Sequence, residues 1–242
     1  MFNSINSLLM SGAIIVATSV NVLAAPNCKE LPGESEIALA LIAAAAAPGT
    51  VGGLFQGTRM WGAVVNRNGE HCAVEASTAD PTQVWPGSQA IAKTKAYTAN
   101  AYSLDVLALS TARLYTFTQP GHSLWSLGHS NGFDPQALAP PSGGGGHQQF
   151  VGGQIHFGGG VPLYKDGKII GALGVSGDTS CADHEIAKRA RDILGLNPPG
   201  GSLVDDITYS GADGASVFTH PLCLNTWRNG VFIGNESPAV GY

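Results

Sequence analysis

The sequence predicts an α+β fold, an antiparallel β-sheet built from hairpins and covered by helices. Three observations lead there. Two pairs of apolar runs are joined by the turns Asn66-Arg67-Asn68-Gly69 and Lys165-Asp166-Gly167-Lys168, and Asn/Asp followed by Gly between apolar runs is a strong short-range hairpin signal. Helical patterns fall before, between and after these pairs. No strand–helix–strand alternation of the kind a parallel sheet requires is visible.

Each element has its own reason. Glu34-Ser35-Glu36 precedes Ile37-Ala38-Leu39-Ala40-Leu41-Ile42 and five alanines, ending at Pro48-Gly49. Acidic residues stand where a helix begins and strong helix formers follow, which predicts about three turns. Met60–Val65 and Glu70–Glu75 form the first hairpin. Ser88 is the expected N-cap of a second helix from Gln89 to about Ala101, and a further helical stretch is expected from Leu104 to about Tyr115. From Thr118 to Phe157 no periodicity is sustained; prolines and the run Gly143-Gly144-Gly145-Gly146 punctuate a long loop that holds His122, His129, His147 and His156. Loops of this length inside a compact domain are uncommon and often functional. The second hairpin runs from Val161 to Gly177. Ser180-x-x-Asp183, a near capping box, opens a last helix whose Ile186, Ala190, Ile193 and Leu194 share one face and which stops at Gly195. Residues 197–242 read as an irregular extension.

Composition limits the function. The chain has 242 residues, 12 Lys+Arg against 17 Asp+Glu, a net charge of -5 and 44% hydrophobic residues, enough for one domain with a core. The Lys188-Arg189-x-Arg191 cluster sits at a helix end, where cations complement exposed carbonyls, so a nucleic-acid partner is disfavoured. Ile5 to Val22 contains no Lys, Arg, Asp or Glu and leads to Val22-Leu23-Ala24-Ala25-Pro26, small residues where a signal peptidase cuts. Residues 1–25 are therefore expected to be a cleaved signal peptide, giving a periplasmic or secreted protein without stable membrane insertion. The mature chain then divides into a domain over 26–196, with a loop insertion at about 118–157, and the extension 197–242.

Cys28, Cys72, Cys181 and Cys223 form no C-x-x-C pair. An even number in an oxidising compartment points to two disulfides with three possible connectivities, the alternative being four unpaired thiols. We favour Cys28–Cys223, tying the two extensions together, and Cys72–Cys181 inside the core.

The stretch Phe157-Gly-Gly-Gly-Val-Pro-Leu-Tyr-Lys-Asp-Gly-Lys-Ile-Ile-Gly-Ala-Leu-Gly-Val-Ser-Gly177, followed by Asp183 and the helix around Ala187, resembles the signature hairpin of the GlcG/HbpS family, the haem-binding or "haem-degrading" domain also found at the C-terminus of some corrinoid adenosyltransferases. Lys95-Ala96-Tyr97-Thr98-Ala99 resembles that family's K-A-x-T-A helix, and Asn68-Gly69-Glu70-His71 its G-x-H turn. The likeness covers residues 35 to 195 in order. Asn66 departs from the usual Asp, and the 118–157 insertion and the extension have no family counterpart. The resemblance implies a profilin/PAS-like layered sandwich, assembly into homo-oligomers, and haem or another tetrapyrrole or small ligand bound non-covalently.

Haem iron takes His, Cys, Met or Tyr as axial ligand. Met60 is the one methionine left after signal removal, in a predicted strand, so histidine is the expected type. His122, His156, His129 and His71 are the candidates, each with an ordinary surface histidine as its alternative. His122 and His129 frame Trp125, a combination suited to a flat apolar ligand with one polar anchor. Gly158-Gly159-Gly160-Val161-Pro162 can let a ligand approach the backbone and offer N–H donors to a carboxylate or propionate; the alternative is a tight packed turn. Lys95 can pair with such an anion, or lie on a solvated helix face.

Gly128-His129-Ser130-Asn131-Gly132 fits the G-x-S-x-G pattern of esterases, but no strand before it or helix after it is predicted, so this reading is set aside. The sequence thus points to an exported haem-binding protein acting in binding, storage or sensing. The alternative is an enzyme using the same pocket for acid–base chemistry on a small organic acid, with Lys95 and a loop histidine moving protons.

Overall fold

The computed structural model describes residues 27–135 and 151–238; the expected signal peptide, the Gly143–Gly146 run and His147 lie outside them. In chain order the elements are α1 (Glu34–Ala46), β1 (Trp61–Asn66), β2 (His71–Ala76), α2 (Pro86–Tyr102), the single-turn α3 (Leu127–Ser130), β3 (Gly160–Lys165), β4 (Lys168–Ser176), α4 (Ser180–Ile193), the single-turn α5 (Ser210–Asp213), β5 (Thr226–Arg228) and β6 (Val231–Gly234). The fold is α+β, as expected. β1 to β4 form one antiparallel sheet in the order β2-β1-β4-β3, and β5 and β6 pair as a separate hairpin.

Both hairpin turns follow from their residues. Gly69, Asp166 and Gly167 hold positive φ, the backbone form that tight hairpins need and that Gly and Asp tolerate. Side chains alternate across the sheet. Val64, Leu173 and Val175 point to one face, where Ile37 and Leu41 of α1 and Ile186 of α4 complete the larger core. Ala63, Val65 and Ala172 point to the other, where α2 lays Ala92, Ala96 and Ala99. The result is three layers: α1 with α4, the sheet, and α2. Small residues let α2 sit very close; a side chain at Gly174 would overlap the carbonyl oxygen of Ala92.

Three local expectations change. α2 begins at Pro86, with Ser88 buried inside its first turn, because Pro preset for helical φ fits the first helical position. α4 is capped by Thr179, whose Oγ1 accepts from the Ala182 N–H. The expected helix over 104–115 is replaced by turns and short 3-10 segments at Thr111–Leu114 and Thr116–Thr118. Side chains take the backbone groups a helix would use: Ser103 Oγ bonds both the N–H and the carbonyl of Leu109, and such local bonds compete with helix.

The cysteines pair as Cys28–Cys72 and Cys181–Cys223, which corrects the expected Cys28–Cys223 and Cys72–Cys181. Cys72 lies on the edge strand β2, against the segment that leads into α1. Cys181 lies in the first turn of α4, across which the extension folds back. Each chain end is thus tied to the core separately. Nor is the extension wholly irregular: buried ion pairs Arg191–Asp205 and Lys188–Asp206 fix its start, and the β5–β6 hairpin ends it. Among the described residues no helix is long and apolar enough to cross a membrane.

Candidate functional site

The loop residues that lack regular structure come together in one open cleft of about 410 Å3. It is lined by Tyr115, Thr118, Gln119, Trp125, Ser126, Gly128, His129, Phe133, Gln154, Ile155, His156 and Phe157. Four aromatic rings and two imidazoles face it, and no Asp, Glu, Lys or Arg is among the described residues that line it. Trp125 and Phe133 are about half exposed at its rim. The Trp125 and His129 rings meet edge to face at 6.0 Å, Trp125 just before α3 and His129 within it.

His156 is the more buried imidazole of the cleft. Tyr102, at the end of α2, and His156 both bond Gln154 Oε1, at 2.9 and 2.8 Å. A carbonyl oxygen only accepts, so His156 carries its proton on Nε2 and keeps a lone pair on Nδ1. The ring edge with Nδ1 lies against Gly128, where even a methyl group would stand 3.6 Å away. Burial holds the His156 pKa down at about 4, so the ring is neutral at pH 7, the form that binds a metal.

The other candidates fall elsewhere. His122 is exposed on the same loop but does not line the cleft. His71 is buried at the start of β2, on the far edge of the sheet. Lys95 is fully buried on α2: its ammonium donates to Asp183 Oδ2 at 2.7 Å and to the Val175 carbonyl at 3.0 Å, and it lies 5.0 Å from the centre of the Phe157 ring. Burial lowers the Lys95 pKa against the pull of Asp183. Burial likewise raises that of Asp183, to about 6, against the pull of Lys95. Gly158, Gly159 and Gly160 are packed: added side chains would meet the Ser180 carbonyl, Lys95 Nζ and the Lys95 carbonyl respectively. The glycines thus bring β3 close to α2 and α4, and Pro162 is buried in that strand, its carbonyl accepting from Arg191. These residues support the cleft from behind rather than line it.

His220, in the extension, also backs the cleft. Its ring stands 5.2 Å from that of Tyr115, its Nε2 accepts the Gly158 N–H at 3.2 Å, and burial lowers its pKa to about 4. Cys181, His220 and Cys223 place their donor atoms within 4.8 Å of one another, but the two sulfurs are bonded to each other. His220 Nδ1 carries a proton and donates it to the Pro221 carbonyl at 2.7 Å. This group is a disulfide beside a structural histidine.

Ser130 of the G-x-S-x-G pattern is in α3, which follows turns and 3-10 segments and not a strand, and its hydroxyl bonds the Leu127 carbonyl, so it has no nucleophile elbow. Sequence reasoning overlooked Tyr115, Phe133, Gln154 and Phe157. The available signal was the aromatic content of a segment that otherwise resembled a polar loop.

A family model described as "Haem degrading protein HbpS-like" matches residues 34–192. An uncharacterized 15.0 kDa protein of the dhaT-dhaS intergenic region in Citrobacter freundii is 35% identical over 92 residues, 38% of this chain and 51% of that protein; the chain thus spans about half the length of the curated relative it matches. Among solved structures, Klebsiella pneumoniae protein ORFY is 24% identical, with a TM-score of 0.47 over 66% of this chain and 86% of that one. The PduOC:heme complex is 23% identical, with a TM-score of 0.46 over 67% and 92%. HbpS is 21% identical, with a TM-score of 0.44 over 67% and 86%.

Proposed function

With well over half of its residues matched, the chain belongs to the HbpS-like family, and we propose that it is an exported protein that binds haem non-covalently in the cleft between Trp125 and Phe157. The observation that carries this reading is the convergence of a neutral, oriented imidazole, His156, with the rings of Tyr115, Trp125, Phe133 and Phe157 in one cleft whose described lining has no Asp, Glu, Lys or Arg. That donor set fits haem. A macrocycle needs apolar, aromatic walls, and its iron takes an imidazole nitrogen. The cleft volume is within the ordinary range for small-ligand sites, about 300–1,000 Å3. No Lys or Arg is among the lining residues, so a bound macrocycle would find no cationic partner for its propionates there. His156 Nδ1 is the candidate ligand atom, oriented by Gln154 and Tyr102, and Trp125 and Phe133 would supply apolar contact at the rim.

Haem bound here supplies iron and an absorbing macrocycle; the chain's own residues hold it, exclude water from one face and keep His156 neutral. Storage, transport or sensing follows from such binding. Export is supported by the apolar segment Ile5–Val22 and by two disulfides, which persist in oxidising compartments. Assembly into homo-oligomers is supported by α1, whose outer face leaves Leu39 and Ile42 half exposed or more; a helix apolar on every side is ordinarily buried.

The test is an equilibrium titration of the oxidised mature chain with haemin. A saturable Soret shift supports the reading, and a linear, unsaturable response overturns it. Mass measurement of the exported protein, expected to begin at Pro26, tests export, and light scattering tests assembly.

A further inference from the structure

The extension lies beyond residue 192, where the family match ends, yet it packs directly behind the cleft wall. Thr116 donates its hydroxyl proton to the Thr219 carbonyl at 2.6 Å. Phe117 packs edge to face on Phe218 at 5.8 Å. His220 touches both halves of the cleft wall, through the Tyr115 ring on one side and the Gly158 N–H, next to Phe157, on the other. Thr111 joins those halves by donating to the Phe157 carbonyl. Three residues after His220, Cys223 is bonded to Cys181 in the first turn of α4. The segment between Asp206 and Asn225 has fixed ends, held by the Lys188–Asp206 ion pair and by paired backbone and side-chain bonds of Asn225 with Gly53. Within it, the covalent tie to the core is the disulfide.

We propose that the Cys181–Cys223 disulfide is a latch that completes the ligand cleft, so that the chain holds its ligand tightly only after oxidation. The proposal rests on the reading of this cleft as the haem site. In the latching step both S–H bonds break and one S–S bond forms. The two electrons and two protons released pass to a disulfide oxidant, whose own S–S bond breaks to give a dithiol. The latched Cys223 fixes His220 against Tyr115 and Gly158. Unlatched, the 207–224 segment stays anchored at its ends but no longer presses His220 into the wall. Reduced chain, as it exists before export, therefore holds ligand weakly.

The second disulfide is an internal control. Cys28–Cys72 and Cys181–Cys223 are separated by 44 and 42 residues, so cutting either releases a nearly equal loop-closure entropy into the unfolded chain. Cys72 lies on β2, the sheet edge opposite β3, and neither Cys28 nor Cys72 is among the residues that line the cleft. A difference between the two in ligand binding therefore reports the latch and not general stability.

The experiment compares the oxidised full mature chain with C181S/C223S and C28S/C72S, using haemin as the probe. Soret titration and haemin transfer to an acceptor globin give affinity and release rate, and amide hydrogen exchange is followed at Gly158 and across residues 111–118. The expected result is binding weakened by about tenfold in C181S/C223S, a typical size for coupling between two sites, with native-like binding in C28S/C72S and faster exchange in the wall of the first variant alone. Equal losses in both variants, or none in either, overturn the latch. If the oxidised wild type binds no haemin, the haem reading fails, and the latch is judged by exchange: selective loosening of Gly158 and 111–118 supports it, and unchanged exchange overturns it. Should the serine pair not fold, C181A/C223A, which buries no new hydroxyl, is measured in its place, alongside wild type reduced and then reoxidised.

Discussion

Lys95 Nζ and Asp183 Oδ2 stand 2.7 Å apart, with side chains 0% and 2% exposed, directly behind the ring of Phe157. The pair joins the middle of α2 to the first turn of α4 across the end of the sheet. Asp183 also accepts the Asp178 N–H through its second oxygen, so three segments meet at one buried carboxylate. The sequence motif that suggested an anion-binding lysine and a glycine cradle is thus a packing device.

Breaking this pair leaves an uncompensated buried charge, which costs about 3–5 kcal/mol. K95M and D183N are each expected to lose stability of that order in urea unfolding. The double variant K95M/D183L, which removes both charges, is expected to recover most of the loss. Near-additive losses in the double variant would show that the two residues act independently.

Acid stability follows from the buried histidines. Burial holds the His156 and His220 pKa values at about 4, below the ordinary histidine value of 6.5, so between these limits the unfolded chain binds more protons than the folded one. Stability from each is fully present above about pH 6.5 and is lost as pH falls toward 4. Asp183, raised to about 6 from 3.8, acts in the opposite sense between those values, so the histidine effect is read as a difference. H220F is expected to flatten the fall in stability between pH 6.5 and 4 relative to wild type in chemical unfolding. An unchanged slope contradicts the assignment of a neutral buried ring.

Close approach of α2 to the sheet depends on Gly174. G174A drives its methyl group into the Ala92 carbonyl, and because both atoms belong to regular elements the strain cannot be relieved by a side-chain rotation. A loss of about 3 kcal/mol or more is expected in thermal or chemical unfolding. G87A, where the added methyl meets nothing within 4 Å, is expected to be near neutral or slightly stabilising, since alanine is the better helix former.

Local chemistry was legible in the sequence wherever neighbours along the chain decide the outcome. The turns at Asn68-Gly69 and Asp166-Gly167, the acidic start of α1 and the Gly195 stop of α4 are all set by residues within one turn of the feature. What depends on contacts between distant segments was not legible. A lysine on a helix of mixed pattern looks solvated until Asp183, 88 residues later, is placed beside it. The cysteine pairing depended on where the extension folds, and its path is fixed by Arg191 and Lys188, whose partners Asp205 and Asp206 carry no local signal. The cleft itself was half legible. Trp125, His129 and His156 stand out in the sequence and lie on its wall, whereas Tyr115 falls in a predicted helix that Ser103 and Leu109 disrupt, and Gln154 gains its place only through Tyr102.

The central claim, that His156 presents a neutral imidazole to haem iron within an aromatic cleft, is tested most directly by electron paramagnetic resonance of the haemin complex of the wild type and of H156A, with affinity read in parallel from the Soret band. The structure predicts an imidazole-ligated ferric signal in the wild type that is lost in H156A, together with affinity lower by about tenfold, or about 1.4 kcal/mol. An unchanged signal and affinity in H156A would contradict it.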